Sequence, residues 1–261
     1  MTERTVLLQV DSAIATITLN RPARGNAIDL ELAQDLRSAF AACEANHALR
    51  VITLKGAGKL FCSGGDLAAI AAAGADAPAY VRALLTNLHA ALLTMARIPV
   101  PVVAAVHGAA AGAGMSLACA ADLAIATRSA RFLMAYPRVG LTPDGSASWY
   151  LPRLVGMRRA LELSLLSNEL SAVKAQEWGM INNVVADEGL DTALAEMAGQ
   201  LSKTPVAATN GAKRLMRDSL GQTLESQLEH EMETICAALT TEDARAALAT
   251  FLSRRRSDGV N

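Results

Sequence analysis

Near the amino terminus, apolar and polar positions alternate through two short runs, and the spacing then changes to that of a helix. Residues 5–9 and 14–20 read as two strands joined by the turn Asp11-Ser12. Ile14, Thr16 and Thr18 alternate with Ala15, Ile17 and Leu19, and β-branched residues dominate. Residues 21–26 carry Pro and Gly and read as a loop. Asp29 marks a helix start, with Leu30, Ala33, Leu36, Arg37 and Phe40 following at helical spacing. A short buried strand is expected at 51–55. A turn-rich connection over 56–65 leads into Phe61-Cys62-Ser63-Gly64-Gly65-Asp66-Leu67. Residues 79–97 predict a helix with Leu84, Leu85, Leu88, Leu92 and Met95 as its apolar stripe. Strands are expected at 102–106, at 123–126 and from 131, with a small-residue helix at 112–121. Such alternation argues for an α/β core with parallel strands. After about Pro205 the pattern is helical only, over 207–219, 224–239 and 243–252. The expected organisation is an α/β core over residues 1–200 and an all-helical region over 201–261.

Between Ile98 and Ala121 no Asp, Glu, Lys or Arg occurs, a stretch long enough to cross a bilayer. Pro99, Pro101, His107, Gly108, Gly112 and Gly114 interrupt it, and its apolar residues are mostly Ala and Val. It reads as a buried strand, a glycine-rich turn and a buried helix of a soluble core, so no membrane partner is expected. With 52% hydrophobic and 19% charged residues among 261, the chain can bury a large core, which excludes global disorder. The net charge of -1 offers no field for nucleic acid, so an anionic ligand needs a local cluster. Cys43, Cys62, Cys119 and Cys236 form no C-x-x-C pair, and His47, His89, His107 and His230 are scattered without metal spacing. No metal and no disulfide framework is expected. The polar residues 1–11 look like neither a signal nor a transit peptide, which makes a reduced cytoplasmic compartment the default.

Two segments share one design of strand, small residues and helix: Ser63-Gly64-Gly65-Asp66, and Gly108 through Gly112 to Gly114. Small residues let a ligand approach the backbone, and free N–H groups at a helix start favour negative charge. Together they could form an oxyanion hole of main-chain donors; the plainer reading is tight helix–strand packing. Gly108-x-x-x-Gly112-x-Gly114 is not the dinucleotide fingerprint, no P-loop occurs, and Ser63 lacks the glycines of a nucleophile elbow.

The motifs Asn20-Arg21-Pro22 with Asn26-Ala27, Phe61 through Leu67, Ala105-Val106-His107-Gly108 running to Cys119-Ala120-Ala121-Asp122, and Gly140-Leu141-x-Pro143-Asp144 resemble the crotonase (enoyl-CoA hydratase/isomerase) superfamily over nearly the whole chain. Leu170-Ser171-Ala172 leading to Gly179-Met180-Ile181-Asn182, and the terminal Phe251-Leu252-Ser253-Arg254-Arg255, resemble its later helices. The resemblance implies a spiral of β-β-α units and a helical carboxyl-terminal region that drives formation of a homotrimer or a dimer of trimers. It also implies an acyl-CoA thioester as substrate, with no cofactor beyond that coenzyme A. The thioester oxygen would receive the N–H groups of Gly65 and Ala113. The family usually has Gly at the second position, but the donor is backbone, so Ala can serve.

The family's hydratases carry two glutamates, whose positions map to Ser116 and Tyr136, so two-carboxylate water addition is not expected. Asp144 stands where some family isomerases keep an acid/base carboxylate. The plainer reading is a helix N-cap, since Pro143-Asp144-Gly145-Ser146 precedes an apolar helix at 149–155, but the resemblance favours catalysis. The implied chemistry is a double-bond shift by this one carboxylate, with Leu67, Ile70, Leu141 and Trp149 as an apolar wall that raises its basicity. Substrate contacts are further implied for Ala27, Ser63 and Asp66, although Asp66 is better placed to fix its turn and start a helix. Arg24 and Arg254, with Arg255 and Arg256, would meet the phosphates, and Phe251 would stack on adenine; the alternative is solvated surface. A hydratase using Asp144 alone, a thioester hydrolase using Ser116 and a non-catalytic acyl-CoA-binding protein remain alternatives, and Ser116 has no histidine at triad spacing.

Overall fold

Strands β1 (Val6–Asp11) and β2 (Ile14–Leu19) pair antiparallel, from Val6 opposite Leu19 to Asp11 opposite Ile14. Ala15, Ile17 and Leu19 are fully buried, the alternation read from the sequence. The computed structural model describes the backbone of residues 4–257 and the side chains of residues 4–253. Helix α1 (Leu30–Ala45) starts where Asp29 accepts the Leu32 N–H at 2.9 Å, and buries Leu32, Ala33, Leu36 and Phe40. Strand β3 (Val51–Gly56), helix α2 (Leu67–Ala72) and the long helix α3 (Ala77–Arg97) follow.

The uncharged stretch resolves into β4 (Val102–Val106), β5 (Ala109–Ala111) and α4 (Ala113–Ala120). Among the described residues no helix is long and apolar enough to cross a membrane. Next come β6 (Leu123–Thr127), β7 (Arg131–Leu133), α5 (Ala147–Val155), α6 (Met157–Leu166), β8 (Leu170–Ser171), α7 (Ala172–Glu177) and β9 (Asn183–Val185). The chain closes with helices α8 (Leu190–Ser202), α9 (Val206–Asp218), α10 (Leu224–Leu239) and α11 (Glu242–Ser257).

The main sheet has the order β1-β2-β3-β4-β6-β9 and is parallel from β2 onward; a smaller sheet runs β5-β7-β8. Strand β4 reads as a continuous apolar run because it is covered on both faces. Val102, Ala104 and Val106 enter the core under α1 and α3. Val103 and Ala105 meet Leu194 and Ala198 of α8. Helices cover both faces of a mainly parallel sheet, the α/β architecture expected.

Helix α9 is tied to this core by a cluster of charges. Asp122, at the mouth of β6, lies 2.7 Å from Lys213 Nζ and 2.6 Å from Arg217 Nη2, and its Oδ2 accepts the Val102 N–H at 2.8 Å. Arg217 also donates to the Tyr150 hydroxyl of α5 at 2.6 Å.

Candidate active site

The two glycine-rich segments lie side by side. The Phe61 N–H donates to His107 O at 2.9 Å, Cys62 N–H to Ala109 O at 3.1 Å, and Ala111 N–H to Cys62 O at 2.9 Å. The loop carrying the first segment is built by its own motif. Asn26 is fully buried with φ +54°, and its amide donates to Ala57 O, Leu60 O and Phe61 O at 2.9, 2.7 and 3.2 Å. Arg21 bridges Asp29 and Asp66 at 2.9 and 3.1 Å. Asn20-Arg21-Pro22 with Asn26 is thus scaffold for the segment that follows, a role the reading of 21–26 as a plain loop missed.

Each segment turns on a glycine of positive φ. Gly64 has φ +103°, and a Cβ there would stand 2.8 Å from Ala111 O. Gly112 has φ +49° and ψ -122°, a region closed to other residues. The next N–H in each case belongs to Gly65 or Ala113. Among the described residues neither donates a hydrogen bond within the chain. Ala113 opens α4, so its N–H also carries the positive end of the helix. Gly114 lets α4 approach, since a Cβ would fall 2.3 Å from Cys62 O. The neighbouring Cys62 is no nucleophile: burial raises its thiol to about 12, and Sγ contacts Asn26 O at 3.2 Å.

Behind these donors stand two hydroxyls and a carboxyl. Ser116, fully buried on α4, reaches Gly112 O at 3.2 Å, Tyr136 Oη at 3.2 Å and Asp144 O at 3.0 Å. Tyr136, buried in the turn after β7, lies with Cζ 3.8 Å from where a Cβ on Gly112 would be. Its hydroxyl donates to Asp144 Oδ1 at 2.6 Å. Burial holds the Asp144 carboxyl above its ordinary value; the Tyr136 hydrogen bond and the nearby His89 oppose this without cancelling it. Burial likewise pushes Tyr136 up, with the Asp144 charge adding to the effect, so the phenol stays protonated.

Asp144 is not a helix cap. Gly145 and Ser146 both have positive φ, at +57° and +71°, so the chain turns once more before α5 begins and Ser146 occupies the N-cap position. The carboxyl is freed from helix duty and aimed at Tyr136. Gly145 presses on α4, where a Cβ would stand 3.2 Å from Ser116 Cβ, so the Ser116 position has little room for a longer side chain.

The remaining expected contacts divide. Both oxygens of Asp66 are used internally, one capping α2 at the Ala69 N–H and one on Arg21. These contacts fix the turn and start α2, the structural role expected of it. Burial raises Asp66, but the Ala69 N–H, Arg21 and Arg24 together outweigh it and leave the group below its ordinary range. Ala27 is buried, and its carbonyl accepts from Arg21. Ser63 and Arg24 are exposed beside that loop. Leu67, Leu141 and Trp149 are each about half exposed, at 47%, 49% and 55%, so in the single chain they do not bury the carboxyl. Arg153 stacks on Trp149 at 3.5 Å. The cover on Asp144 comes instead from Tyr136, Ser116 and α3, whose Leu88 lies 3.8 Å from a Cβ on Gly145. Phe251 is exposed on α11, and the side chains of Arg254, Arg255 and Arg256 lie outside the described residues. A cavity of about 590 Å³ lies elsewhere, between the end of α3, α9 and α10, and shares no residue with this site. Among the described residues no cluster suited to a metal occurs. His89, read as packing or surface, lies near enough to Asp144 to oppose the upward push of burial.

The enoyl-CoA hydratase/isomerase family model matches residues 9–258. A 1,2-epoxyphenylacetyl-CoA isomerase of Escherichia coli is 37% identical over 252 residues, spanning 96% of each chain. A 4-chlorobenzoyl coenzyme A dehalogenase of Arthrobacter sp. is 34% identical over 242 residues, 92% of this chain and 88% of that one. The crystal structure of an enoyl-CoA hydratase from Polaromonas sp. JS666 superposes with a TM-score of 0.91 at 32% identity, covering 95% of this chain and 97% of that one. With its paired backbone donors and this breadth of match, the chain is an acyl-CoA enzyme of the enoyl-CoA hydratase/isomerase (crotonase) family.

Proposed function

We propose that this enzyme moves a double bond in an enoyl-CoA thioester. The observation that carries the reading is the single carboxyl of Asp144, kept basic by burial and held at Oδ1 by Tyr136, beside the free N–H groups of Gly65 and Ala113. In the first step the Asp144 carboxylate takes a proton from C2 of a 3-enoyl thioester. The C–H electron pair moves into the thioester, and the resulting enolate oxygen receives the Gly65 and Ala113 N–H groups. In the second step Asp144 returns the proton at C4, leaving the double bond between C2 and C3. Net atoms and electrons are unchanged, and no cofactor beyond the substrate's own coenzyme A takes part.

Ser116 and Tyr136 support isomerisation over hydration. Hydration needs a second group to take a proton from water, and neither hydroxyl titrates near neutrality. Ser116 also has no histidine among its hydrogen-bond partners, which argues against a serine hydrolase. Arg24 on the loop before Gly25, with Arg254 from the carboxyl-terminal helix, is proposed to meet the coenzyme A phosphates, and Phe251 the adenine. The protein is proposed to act as a homotrimer or dimer of trimers, and the core over 1–200 and the helical region over 201–261 to be its two parts. Exposed Met216, Leu220, Leu224, Leu228 and Ile235 along α9 and α10 and the turn between them support assembly.

A thioester panel tests the chemistry. Conversion of 3-enoyl-CoA to 2-enoyl-CoA is expected, with crotonyl-CoA hydrated slowly or not at all. Hydration at about 10–10³ per second, chloride release from 4-chlorobenzoyl-CoA, or release of free coenzyme A in place of the shift would overturn the reading.

A further inference from the structure

We propose that Tyr136 is the positioning residue for Asp144: its hydroxyl, set in place by Ser116, occupies Oδ1 and leaves Oδ2 as the atom that carries the proton. This rests on the isomerase reading and deepens it. A carboxylate cannot donate, so the 2.6 Å contact is the phenol donating to Oδ1. That length is typical of an O–H donor on a charged oxygen. The phenol's single proton is then committed, and at the 3.2 Å contact with Ser116 the tyrosine oxygen can only accept.

Ser116 has one proton and three acceptors within reach: Gly112 O, Tyr136 Oη and Asp144 O. Its oxygen touches the start of α4, the turn after β7 and the loop before α5. The proton serves one of these at a time; given to Tyr136 Oη, it fixes the phenol against α4 while the phenol's own proton lies on Asp144 Oδ1. Such a hydroxyl pair is costly to bury unless it is matched, and here every member has a partner.

The arrangement suits a carboxyl that is charged in one half-reaction and neutral in the other. When Oδ2 holds the proton, Oδ1 is a carbonyl oxygen and still accepts from Tyr136. No hydroxyl has to rotate between removing the proton at C2 and returning it at C4. The titratable groups that face Asp144 are Tyr136, from the turn after β7, and His89, from α3. Tyr136 stabilises the carboxylate and so keeps the base available despite its burial.

The test is the pH dependence of kcat/KM for 3-enoyl-CoA isomerisation, with wild type, Tyr136→Phe and Ser116→Ala compared in a His89→Gln background so that the imidazole does not contribute. Loss of the phenol donor should move the acid limb to higher pH by about one pH unit and lower kcat by about tenfold. Ser116→Ala should move the limb in the same direction by less. Carbon-13 NMR titration of the Asp144 carboxyl, assigned with Asp144→Asn, should show the same displacement without substrate. A Tyr136→Phe protein with an unmoved limb and an unmoved carboxyl titration overturns the positioning role. Full isomerisation by Asp144→Asn would instead sink the isomerase reading, and the carboxyl titration still reports on Tyr136 in that case.

Discussion

Gly64 and Gly112 meet back to back, with the Cα of Gly64 3.8 Å from where a Cβ on Gly112 would stand. Each turns its chain with a positive φ and leaves the next N–H without an acceptor among the described residues. A side chain on residue 65 or 113 would not alter its N–H, so in the proposed oxyanion hole the demand for glycine falls on positions 64 and 112.

That asymmetry gives a first prediction. Gly64→Ala places a Cβ 2.8 Å from Ala111 O and strains a left-handed residue, so the hole should deform and kcat should fall about 10²-fold or more. Ala113→Gly should retain activity of the wild-type order. Steady-state kinetics on 3-enoyl-CoA decide it, and equal losses in both variants would contradict the backbone-donor account.

Burial keeps Asp144 protonated to a higher pH than its ordinary 3.8. Between the two values the folded protein binds more protons than the unfolded chain, so stability falls as pH rises through that window. Asp144→Asn cannot ionise, and its side-chain oxygen can still accept from Tyr136. The variant should therefore gain stability over wild type as pH climbs, and keep that gain at neutrality. Denaturant unfolding across the acid range checks this; a gap that shrinks with rising pH would contradict it.

Asp122 pairs with both Lys213 and Arg217 where all three side chains are largely covered. Asp122→Ala strands two buried cations and should destabilise the fold by about 3 kcal/mol or more. Because the pair holds α9 on the core, protease cleavage near α9 should quicken as well. Urea unfolding with limited proteolysis measures both, and a change under about 0.5 kcal/mol would mean the cluster is solvated in solution.

Exposed apolar residues from Met216 to Ile235 predict assembly. Sedimentation at micromolar concentration should show trimers or hexamers as the main species. A clean monomer would remove this part of the account.

Elements with long, regular spacing were legible before any coordinates: α1 with its Asp29 cap, α3, and β4 buried on both faces. The start of helix α2 at Asp66 was legible too, but strands β5, β8 and β9, of three residues or fewer, were not, because such runs carry too little periodicity. The two glycine segments were visible as a pair, while the contacts that bring them together link residues distant in sequence. Asp144 was the ambiguous case. Its sequence context fits a cap, and only the structure shows that the left-handed Ser146 takes the N-cap position of α5. The Asp122 cluster was invisible for a similar reason, since Arg217 lies 95 residues away.

The most direct measurement follows Asp144→Asn in heavy water, with 3-enoyl-CoA as substrate and mass spectrometry as the readout. Wild type should form 2-enoyl-CoA and take up deuterium at C2. The variant should remain folded and bind coenzyme A esters, while both the shift and the exchange fall by roughly 10²–10⁴. Full isomerisation and full C2 exchange by the Asn variant would contradict the claim that this one carboxyl carries the proton.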